Sequence, residues 1–429
     1  MKKTYNVVDM FCGAGGESTG ILQAAGELDL KVNLFAINHW ERAIETHAAN
    51  HPGANHLCQS VENINPTRVI LGRKLDLLWA SPECTHHSIA RGGRPRSEQS
   101  RASPWMILKW LQELNVERVI IENVKEFLQW GPLDKNGKPI QKLKGETFRA
   151  FIAAIKSFGY LVDWKILTCA DYGDPTTRQR LFIQAVKGKK HILWPEITHM
   201  DGDNLIGYKP WVQARDIIDW SIPGTSIFNR KKPLAPTTMR RIAAGIEKYG
   251  GNYKKPFLAI LHGASKVNSI DEPLSTITCG GRHHALITPL PPFITAIGQT
   301  SAKDRSRSLD EPLSTVVGKQ EHVLIEPLIM EYHGTGGVKP VSKPLKTVTT
   351  KDRFALITIP KLKLPFGLDI HFRMLKNHEL KRAHSFPENY ILTGNTTEQT
   401  KQIGNSVPVN TAKALAKENM KSFLGRNDG

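Results

Sequence analysis

YNVVDMFCGAGG, residues 5–16, joins a short apolar run to a glycine-rich turn. The run Tyr5–Met10 predicts a strand that begins almost at the start of the chain. Glycines at positions 13, 15 and 16 follow it, and Ser18–Leu28 then carries apolar residues at helical spacing. Strand, glycine-rich turn and helix in this order predict the first unit of an open α/β sheet, in which ligands bind at the carboxyl ends of the strands.

The alternation of strand and helix continues to about residue 190. Short apolar runs predict strands, and segments with apolar residues at helical spacing predict the helices between them. The further predicted strands are Val32–Ile37, Leu75–Trp79, Val119–Glu122, Leu161–Leu167 and Leu181–Ala185, and the further helices are Glu41–Asn50, Ser103–Leu114 and Glu146–Phe158. This order predicts a parallel, Rossmann-like sheet with helices on both faces.

An internal repeat follows in a region richer in Pro, Gly and Thr. Its copies read KPLAPT, EPLST, EPLST and KPLKT, and their prolines at 233, 273, 312 and 344 lie 40, 39 and 32 residues apart. The last three copies follow an apolar run and continue into strand-like runs such as 283–288 and 354–358. Such spacing predicts one β-rich supersecondary unit that is stacked several times.

Helical patterns return after Pro365, and Phe372–Ala383 is predicted to be a helix. A chain that leaves the α/β pattern and returns to it indicates a discontinuous domain with an inserted module. We therefore predict a catalytic domain over 1–190, an inserted repeat-containing module over 191–365, and a return to the catalytic domain over 366–429.

The charge of the chain favours a polyanionic partner. Its 429 residues are 40% hydrophobic and carry 58 Lys and Arg against 40 Asp and Glu, a formal net charge of +18. A basic protein of this kind is typical of nucleic-acid binding, although the same charge also serves general solubility.

Cysteine usage and hydropathy exclude several classes of protein. The five cysteines, at 12, 58, 84, 169 and 279, form no CxxC pair and no Cys/His metal spacing. An odd, scattered set fits a reducing cytoplasm better than a disulfide framework. No stretch approaches the roughly 18 apolar residues of a membrane span, and the N-terminus lacks the apolar core of a signal peptide. We expect a cytoplasmic protein without a membrane segment or a metal.

The glycine-rich turn is a candidate ligand site. Gly13, Gly15 and Gly16 allow backbone amides to approach a ligand, and Phe11 is suited to stacking on an adenine ring. The spacing is not GxGxxG, and no Lys-Ser/Thr pair follows. An adenosine-containing ligand other than a dinucleotide or nucleoside triphosphate is therefore favoured, although such a turn alone is equally often structural.

Cys84 and Glu122 are candidate catalytic residues because each follows a predicted strand. A cysteine near a core is most often an inert thiol, but basic residues surround Cys84 in SPECTHHSIARGGRPR, residues 81–96. Positive neighbours raise the thiolate fraction. Glu122 is a candidate proton donor if the two strands are adjacent. Arg178 and Arg180 alternate on one face of a further strand, where the plain alternative is a basic surface.

Together these segments resemble the DNA (cytosine-5)-methyltransferase family. The resemblance covers residues 5–190 and about 370–420 and rests on five motifs in order. They are the turn at 9–16, Pro82-Glu83-Cys84, Glu122-Asn123-Val124, Arg178-Gln179-Arg180 and Gly404-Asn405-Ser406-Val407. The region left over, which contains the repeats, lies where the family has its target-recognition domain.

The resemblance implies transfer of a methyl group from S-adenosylmethionine to C5 of a cytosine in double-stranded DNA. Cys84 would add to C6 of the base while Glu122 hydrogen-bonds N3. Asn123 would hold the cysteine loop, and Arg180, with Arg178 in support, would contact O2 of the base. The target base would have to be flipped out of the duplex.

The resemblance also implies the residues around the methyl donor and the partners of the protein. A monomer that acts on DNA is expected, and a cognate restriction endonuclease is a possible functional partner. The residues that would contact the methyl donor are Asp9, Phe11, Gly13, Gly15, Gly16, Asn38, Ser60, Pro82, Asn405 and Ser406.

Several positions depart from the family pattern. Glu83 replaces a second proline before the cysteine, and Thr176 replaces a glutamine before the arginines. Asn38 and Ser60 stand where acidic residues are expected, with Glu41 and Glu62 nearby. These departures concern contacts with the methyl donor more than the reaction.

Two other functions were weighed. RNA cytosine-5 methyltransferases of the two-cysteine type need a second cysteine where this chain has Glu122-Asn123-Val124, whereas a tRNA-directed relative with the DNA-type motifs stays open. A non-catalytic DNA-binding module would need neither Cys84 nor Glu122. The target sequence is not readable from the chain.

Overall fold

The computed structural model describes most of the α/β part of the chain and the strands of the inserted part. The described residues are 3–82, 103–135, 138–188, 190–202, 206–227, 230–234, 238, 242, 256–261, 267–279, 283–289, 293–296, 306–308, 322–325, 328–331, 338–340, 354–357 and 370–424. Two compact units result, one of residues 1–218, 271–282 and 376–429, the other of residues 219–270 and 283–375.

A seven-stranded sheet with the order β3-β2-β1-β4-β5-β7-β6 forms the centre of the first unit. Its strands are β1 (Thr4–Met10), β2 (Lys31–Asn38), β3 (Asn55–Cys58), β4 (Lys74–Ala80), β5 (Asn115–Asn123), β6 (Tyr160–Thr168) and β7 (Gln179–Lys187). The five strands from β3 to β5 are parallel. The sequence predicted six of these strands to within a few residues and missed the short β3.

The predicted parallel sheet is confirmed for the five strands from β3 to β5, whereas β7 runs antiparallel to both β5 and β6. Only the short 3₁₀ turn Cys169–Tyr172 and a loop separate β6 from β7. A parallel pair needs a crossover of a dozen or more residues, usually with a helix, whereas a short connection permits a hairpin. Periodicity alone does not distinguish the two arrangements.

Helices cover both faces of this sheet, because neighbouring strand residues point to opposite sides. Val8 and Leu78 pack with α4 (Met106–Glu113) and α5 (Glu146–Ser157) in one apolar core. Val7 and Leu77 pack on the other side. The helices in that second core are α1 (Gly16–Glu27) and α8 (Val409–Leu424), and the remaining helices of this unit are α2 (Glu41–Asn50), α3 (Pro66–Val69), α6 (Asn377–Ala383) and α7 (Thr396–Asn405).

The packing of α1 on α8 leads to a test with a matched control. A Cβ at Gly20 of α1 would lie 2.6 Å from the backbone nitrogen of Lys413 and 2.7 Å from the Ala412 Cβ. A Cβ at Gly26 would meet nothing within 4 Å. We expect Gly20→Ala to lower the free energy of unfolding by about 1–3 kcal/mol through overpacking. Gly26→Ala should raise it by roughly 0.5–1 kcal/mol through helix propensity. Urea unfolding measures the free energy of unfolding of both variants. Equal changes in the two would contradict the close approach of α1 and α8 at Gly20.

Residues 191–218 belong to the first unit, although the sequence analysis assigned them to the inserted module. The strands β8 (His199–Met200) and β9 (Lys209–Pro210) lie here. The Thr198 amide and the Trp211 indole both donate to Asp171 of the 3₁₀ turn, at 2.9 and 3.0 Å. The unit boundaries at 218/219 and 375/376 therefore differ from the expected 190/191 and 365/366.

The second unit contains antiparallel sheets. The largest has the order β10-β20-β13-β11-β12. Its strands are β10 (Thr225–Ser226), β11 (Phe257–Ile260), β12 (Val267–Ser269), β13 (His284–Pro289) and β20 (Ile370–Met374). Residues 372–374, predicted to begin a helix, instead belong to β20, which pairs with β13.

One three-stranded arrangement occurs three times in this unit. In the order β12-β11-β13, the first strand in sequence lies between the next two. The same order occurs in β15-β14-β16 and in β18-β17-β19. These strands are β14 (Phe293–Ala296), β15 (Ser306–Ser308), β16 (His322–Ile325), β17 (Leu328–Glu331), β18 (Val338–Pro340) and β19 (Phe354–Ile357). In sequence, Pro273 falls between β12 and β13, Pro312 between β15 and β16, and Pro344 between β18 and β19.

The described residues contain neither a membrane-spanning helix nor a metal-binding cluster. No helix in the described ranges is long and apolar enough to cross a membrane. Within the same ranges, no three His, Cys, Asp or Glu side chains are grouped so that they could hold a metal ion.

Candidate active site

The carboxyl ends of β1, β4 and β5 lie side by side at one edge of the sheet. Met10 of β1 pairs with Ala80 of β4, and Ala80 pairs with Ile121 of β5. The glycine-rich turn, the loop that contains Cys84, and Glu122 therefore start from neighbouring positions. Cys84 itself lies outside the described residues, as does the preceding residue of its loop.

The glycine-rich turn packs closely against the C-terminal segment. Gly15 has φ 87°, and a Cβ there would lie 2.7 Å from the Tyr390 hydroxyl. A Cβ at Gly16 would collide with the Val407 carbonyl oxygen. At Gly13, which has φ 51°, the nearest atom to a Cβ would be 3.9 Å away. The turn therefore has no room for a side chain at Gly15 or Gly16, whereas at Gly13 the contact would be an ordinary van der Waals one.

Two buried carboxyl groups lie beneath this turn. Asp9 accepts a hydrogen bond from Ser18 Oγ at 2.6 Å, and Glu17 accepts one from Ser81 Oγ at 2.9 Å. Burial raises the pKa of Asp9 to about 7. Burial, with the negative charge of Asp9, raises the pKa of Glu17 well above its usual range. Asp9 was predicted from the sequence, whereas Glu17 was not, because an acidic residue in the first turn of a helix is common.

The other residues predicted around the methyl donor follow β1, β2 and β3. Phe11 has a left-handed φ of 66° and packs partly against the apolar core. Asn38 is half-buried, and its Oδ1 accepts a hydrogen bond from the Trp40 amide at 2.9 Å. Ser60 precedes a 3₁₀ turn, and its side chain makes no capping hydrogen bond.

Glu122 and Arg180 form an ion pair across β5 and β7. Arg180 Nε lies 3.1 Å from Glu122 Oε1, and the side chains are 15% and 9% exposed. Burial raises the pKa of Glu122, whereas Arg180 and Arg178 lower it, and the net effect is a raised pKa. A carboxyl whose neutral form is favoured by burial keeps its proton to a higher pH than an exposed carboxyl.

Asn123 connects β5 to the loop that follows β4. Its Nδ2 donates to the Pro82 carbonyl oxygen at 3.3 Å, and its Oδ1 accepts from the Val124 amide at 2.9 Å. Both Asn123 and Pro82 are buried. The amide thus holds the backbone two residues before Cys84.

Arg178 is buried inside the unit rather than presented at its surface. It is 2% exposed, and Nη1 donates to the carbonyl oxygens of Ile277 at 3.3 Å and Gly404 at 3.0 Å. Burial and Arg180 lower the pKa of Arg178, and Glu122 raises it. The described contacts make Arg178 a positioning residue that connects β7 to segments 271–282 and 396–405.

Asn405 and Ser406 end α7 and differ in exposure. Asn405 is exposed, whereas Ser406 is 1% exposed and donates to the Ile403 carbonyl oxygen at 2.8 Å. The Ser406 oxygen also lies 3.0 Å from Nδ1 of the buried His384. Burial, Arg178 and Arg180 lower the pKa of His384 well below its usual range, so the ring is neutral. His384 was not predicted from sequence.

The donor set beneath the turn fits a ligand that carries positive charge. Asp9 Oδ1 and Glu17 Oε2 are buried and have no hydrogen-bond partner in the described part of the chain. A buried polar atom without a partner is costly unless a ligand supplies one.

A comparison with protein families matches most of the chain. The family described as C-5 cytosine-specific DNA methylase matches residues 5–232 and 297–421. Among curated proteins, the type II methyltransferase M.AgeI of Thalassovita gelatinovora is 24% identical over 95% of this chain and 97% of its own length. M.SacI of Streptomyces achromogenes is 23% identical over 99% of this chain and 94% of its own length.

Solved structures are similar in fold. The Entamoeba histolytica methyltransferase EhMeth has a TM-score of 0.54 at 12% identity and covers 98% of this chain and 99% of its own. A Spodoptera frugiperda DNMT2 mutant has a TM-score of 0.53 at 16% identity and covers 97% of this chain and 99% of its own. At these identities the likeness shows the fold alone.

The central parallel sheet with its glycine-rich turn and flanking helices defines a methyltransferase-like α/β fold. The chain belongs to the C-5 cytosine-specific DNA methylase family. It is therefore a DNA (cytosine-5-)-methyltransferase, for which the family implies S-adenosylmethionine as the methyl donor.

Proposed function

We propose that this enzyme methylates C5 of cytosine within one specific sequence of double-stranded DNA, through covalent attack by Cys84. The observation that carries the proposal is a pair of contacts at one sheet edge. Glu122 pairs with Arg180, and Asn123 donates to the carbonyl oxygen of Pro82, which precedes Cys84 by two residues in the sequence.

Cys84 and Glu122 activate the base together. The Cys84 thiolate adds to C6 while Glu122 donates a proton to N3, so that C5 carries the electron pair for the new bond. After methylation, a base removes the C5 proton, the thiolate leaves C6, and the N3 proton returns to Glu122, which restores the aromatic ring and the enzyme. The raised pKa of Glu122 supports its role as the donor.

Arg180 and Arg178 act at different distances from the base. Arg180 is partly exposed beside Glu122 and contacts O2 of the flipped cytosine. Arg178 positions the surrounding backbone through Ile277 and Gly404. Asn123 positions the Cys84 loop through Pro82.

The methyl donor binds over the glycine-rich turn, where it supplies an electrophilic methyl group. Backbone amides at Gly13 and Gly15 approach it, and Phe11 stacks on its adenine ring. The further contacts proposed are with Asp9, Gly16, Asn38, Ser60, Pro82, Asn405 and Ser406.

The second unit is the proposed target-recognition domain. The same three-strand order recurs in β12-β11-β13, β15-β14-β16 and β18-β17-β19 of the described residues, as expected of a repeated structural unit. The segment 228–256 carries eight Lys and Arg against one acidic residue, which suits contacts with phosphates. Base readout in the major groove would come from Arg, Lys, Gln and Asn side chains of the same region. We further propose a cytoplasmic monomer that works beside a cognate restriction endonuclease.

Methylation sequencing of DNA from cells that express the protein tests the proposal. We expect 5-methylcytosine at one recurring sequence, and no such mark in cells that express Cys84→Ala. Methylation of RNA with unmodified DNA would instead support a tRNA-directed enzyme. Methylation at unrelated cytosines would contradict sequence specificity.

A further inference from the structure

One carboxylate oxygen of the buried Glu17 accepts a hydrogen bond, whereas the other has no hydrogen-bond partner among the described residues. Its residue is 2% exposed, and Oε1 accepts from Ser81 Oγ at 2.9 Å. Oε2 is buried without a hydrogen-bond partner in the described ranges. Asp9, which interacts with Glu17 electrostatically, is fully buried and also has one open oxygen.

These two carboxyls lack a compensating cation among their described contacts. Their partners are the hydroxyls of Ser18 and Ser81. Glu122 adds further negative charge near Glu17, and Glu17 in turn raises the pKa of Arg178. No described ion pair joins Arg178 to Glu17, because Arg178 donates to backbone carbonyls instead. A positive ligand group would therefore be stabilised here more than at the protein surface.

Glu17 lies between the glycine-rich turn and the loop of the proposed nucleophile. The Ser81 amide donates to the Met10 carbonyl oxygen at 3.0 Å, which joins the end of β4 to the end of β1. Cys84 follows Ser81 by three residues. Under the proposed function, the methyl group passes from a donor on the turn towards the loop that begins at Ser81, and Glu17 is bonded to that residue.

We propose that Glu17 recognises the positive sulfonium of the methyl donor through its open Oε2, while Oε1 stays bonded to Ser81. The inference rests on the proposed function, because it assumes that the donor binds over the glycine-rich turn. When the methyl group leaves, sulfur keeps the electron pair of the broken bond and becomes a neutral thioether. Glu17 thus favours the charged donor over the neutral product.

The Kd values of three ligands distinguish recognition of the positive charge from ordinary packing around the ligand. S-Adenosylmethionine carries the sulfonium, S-adenosylhomocysteine has a neutral thioether, and sinefungin carries an amine in its place. Glu17→Gln keeps an oxygen that accepts from Ser81 but removes the negative charge. We expect the Kd values of the two cationic ligands to rise about tenfold more than that of S-adenosylhomocysteine, measured by titration calorimetry.

Glu27→Gln is the matched control, because it makes the same substitution at the opposite end of α1, where the exposed Glu27 pairs with Lys413 and Lys417. Its Kd ratio between S-adenosylmethionine and S-adenosylhomocysteine should equal that of the wild type, and thermal unfolding of each variant confirms folding. If Glu17→Gln weakens all three ligands equally, the inference is wrong while the proposed function stands. A wild-type protein that binds none of them would overturn the proposed function, and the inference with it.

Proton release gives a second readout of the same contact. Burial, with the negative charge of Asp9, raises the pKa of Glu17 well above its usual range, so the free carboxyl holds a proton more readily than an exposed one. A bound cation lowers this pKa and releases a proton. Calorimetry in two buffers should show more proton release with S-adenosylmethionine than with S-adenosylhomocysteine. Glu17→Gln should reduce that difference, and an unchanged difference would contradict the contact.

Discussion

Cys84→Ala is expected to abolish methyl transfer while DNA binding is largely retained. Without the thiolate, C6 of cytosine receives no nucleophile, and C5 stays too poor in electrons to accept the methyl group. Loss of a covalent nucleophile costs on the order of 10⁴-fold or more in rate. Transfer of tritiated methyl groups to DNA measures the reaction, and gel mobility shift measures the binding.

Cys58→Ala is the matched control for this variant. Cys58 is an exposed thiol at the end of β3 and belongs to none of the proposed catalytic contacts. Its activity should stay within about twofold of the wild type, as for an ordinary surface substitution. Full activity in Cys84→Ala would remove the basis of the mechanism.

The same prediction has a covalent form. DNA that contains 5-fluorocytosine at the target should trap the enzyme through Cys84, because fluorine replaces the proton that must leave C5. Mass spectrometry of the trapped peptide identifies the linked residue. A trap on Cys12, Cys58, Cys169 or Cys279 would reassign the nucleophile.

Glu122→Gln is expected to lower kcat by about 10²–10⁴-fold, the usual contribution of a general acid. The amide cannot give up a proton to N3, and Arg180 loses the carboxylate that lies 3.1 Å from its Nε. Because the proton-bearing form is the active one and burial raises its pKa, wild-type activity should decline as pH rises through that pKa. Single-turnover rates across pH measure both effects, and the decline should be absent in the variant.

Glu117→Gln is the control on the same strand. Glu117 lies towards the opposite end of β5, where it pairs with Lys190. We expect this substitution to leave kcat within about twofold of the wild type. A Glu122→Gln enzyme that reacts at the wild-type rate would show that the proton reaches N3 by another route.

The local patterns of the sequence predicted much of the α/β framework. Tyr5–Met10 and Leu75–Trp79 match β1 and β4 closely, because buried strands appear as uninterrupted apolar runs. The direction of β7 was not predictable in this way, since an apolar run has the same appearance in parallel and antiparallel pairs. The strand β20 was missed because Phe372 and Leu375, three residues apart, also fit helical spacing.

The candidate site was predictable only as a set of ordered residues. Cys84, Glu122 and Arg180 stand at strand ends that periodicity locates, and their order supports the family. Glu17 and His384 carried no comparable signal. Their importance comes from burial and from partners in distant segments, which spacing along the chain does not report.

The sequence by itself determined the family, the strand–turn–helix start and the candidate nucleophile, because these depend on residue type and short-range order. Only the tertiary structure decided which way the side chains face. It buried Arg178 against carbonyls 99 and 226 residues away, and it joined Glu17 to Ser81 across 64 residues. Burial and hydrogen-bond partners are set by long-range packing, and packing exists only once the strands of the sheet are side by side.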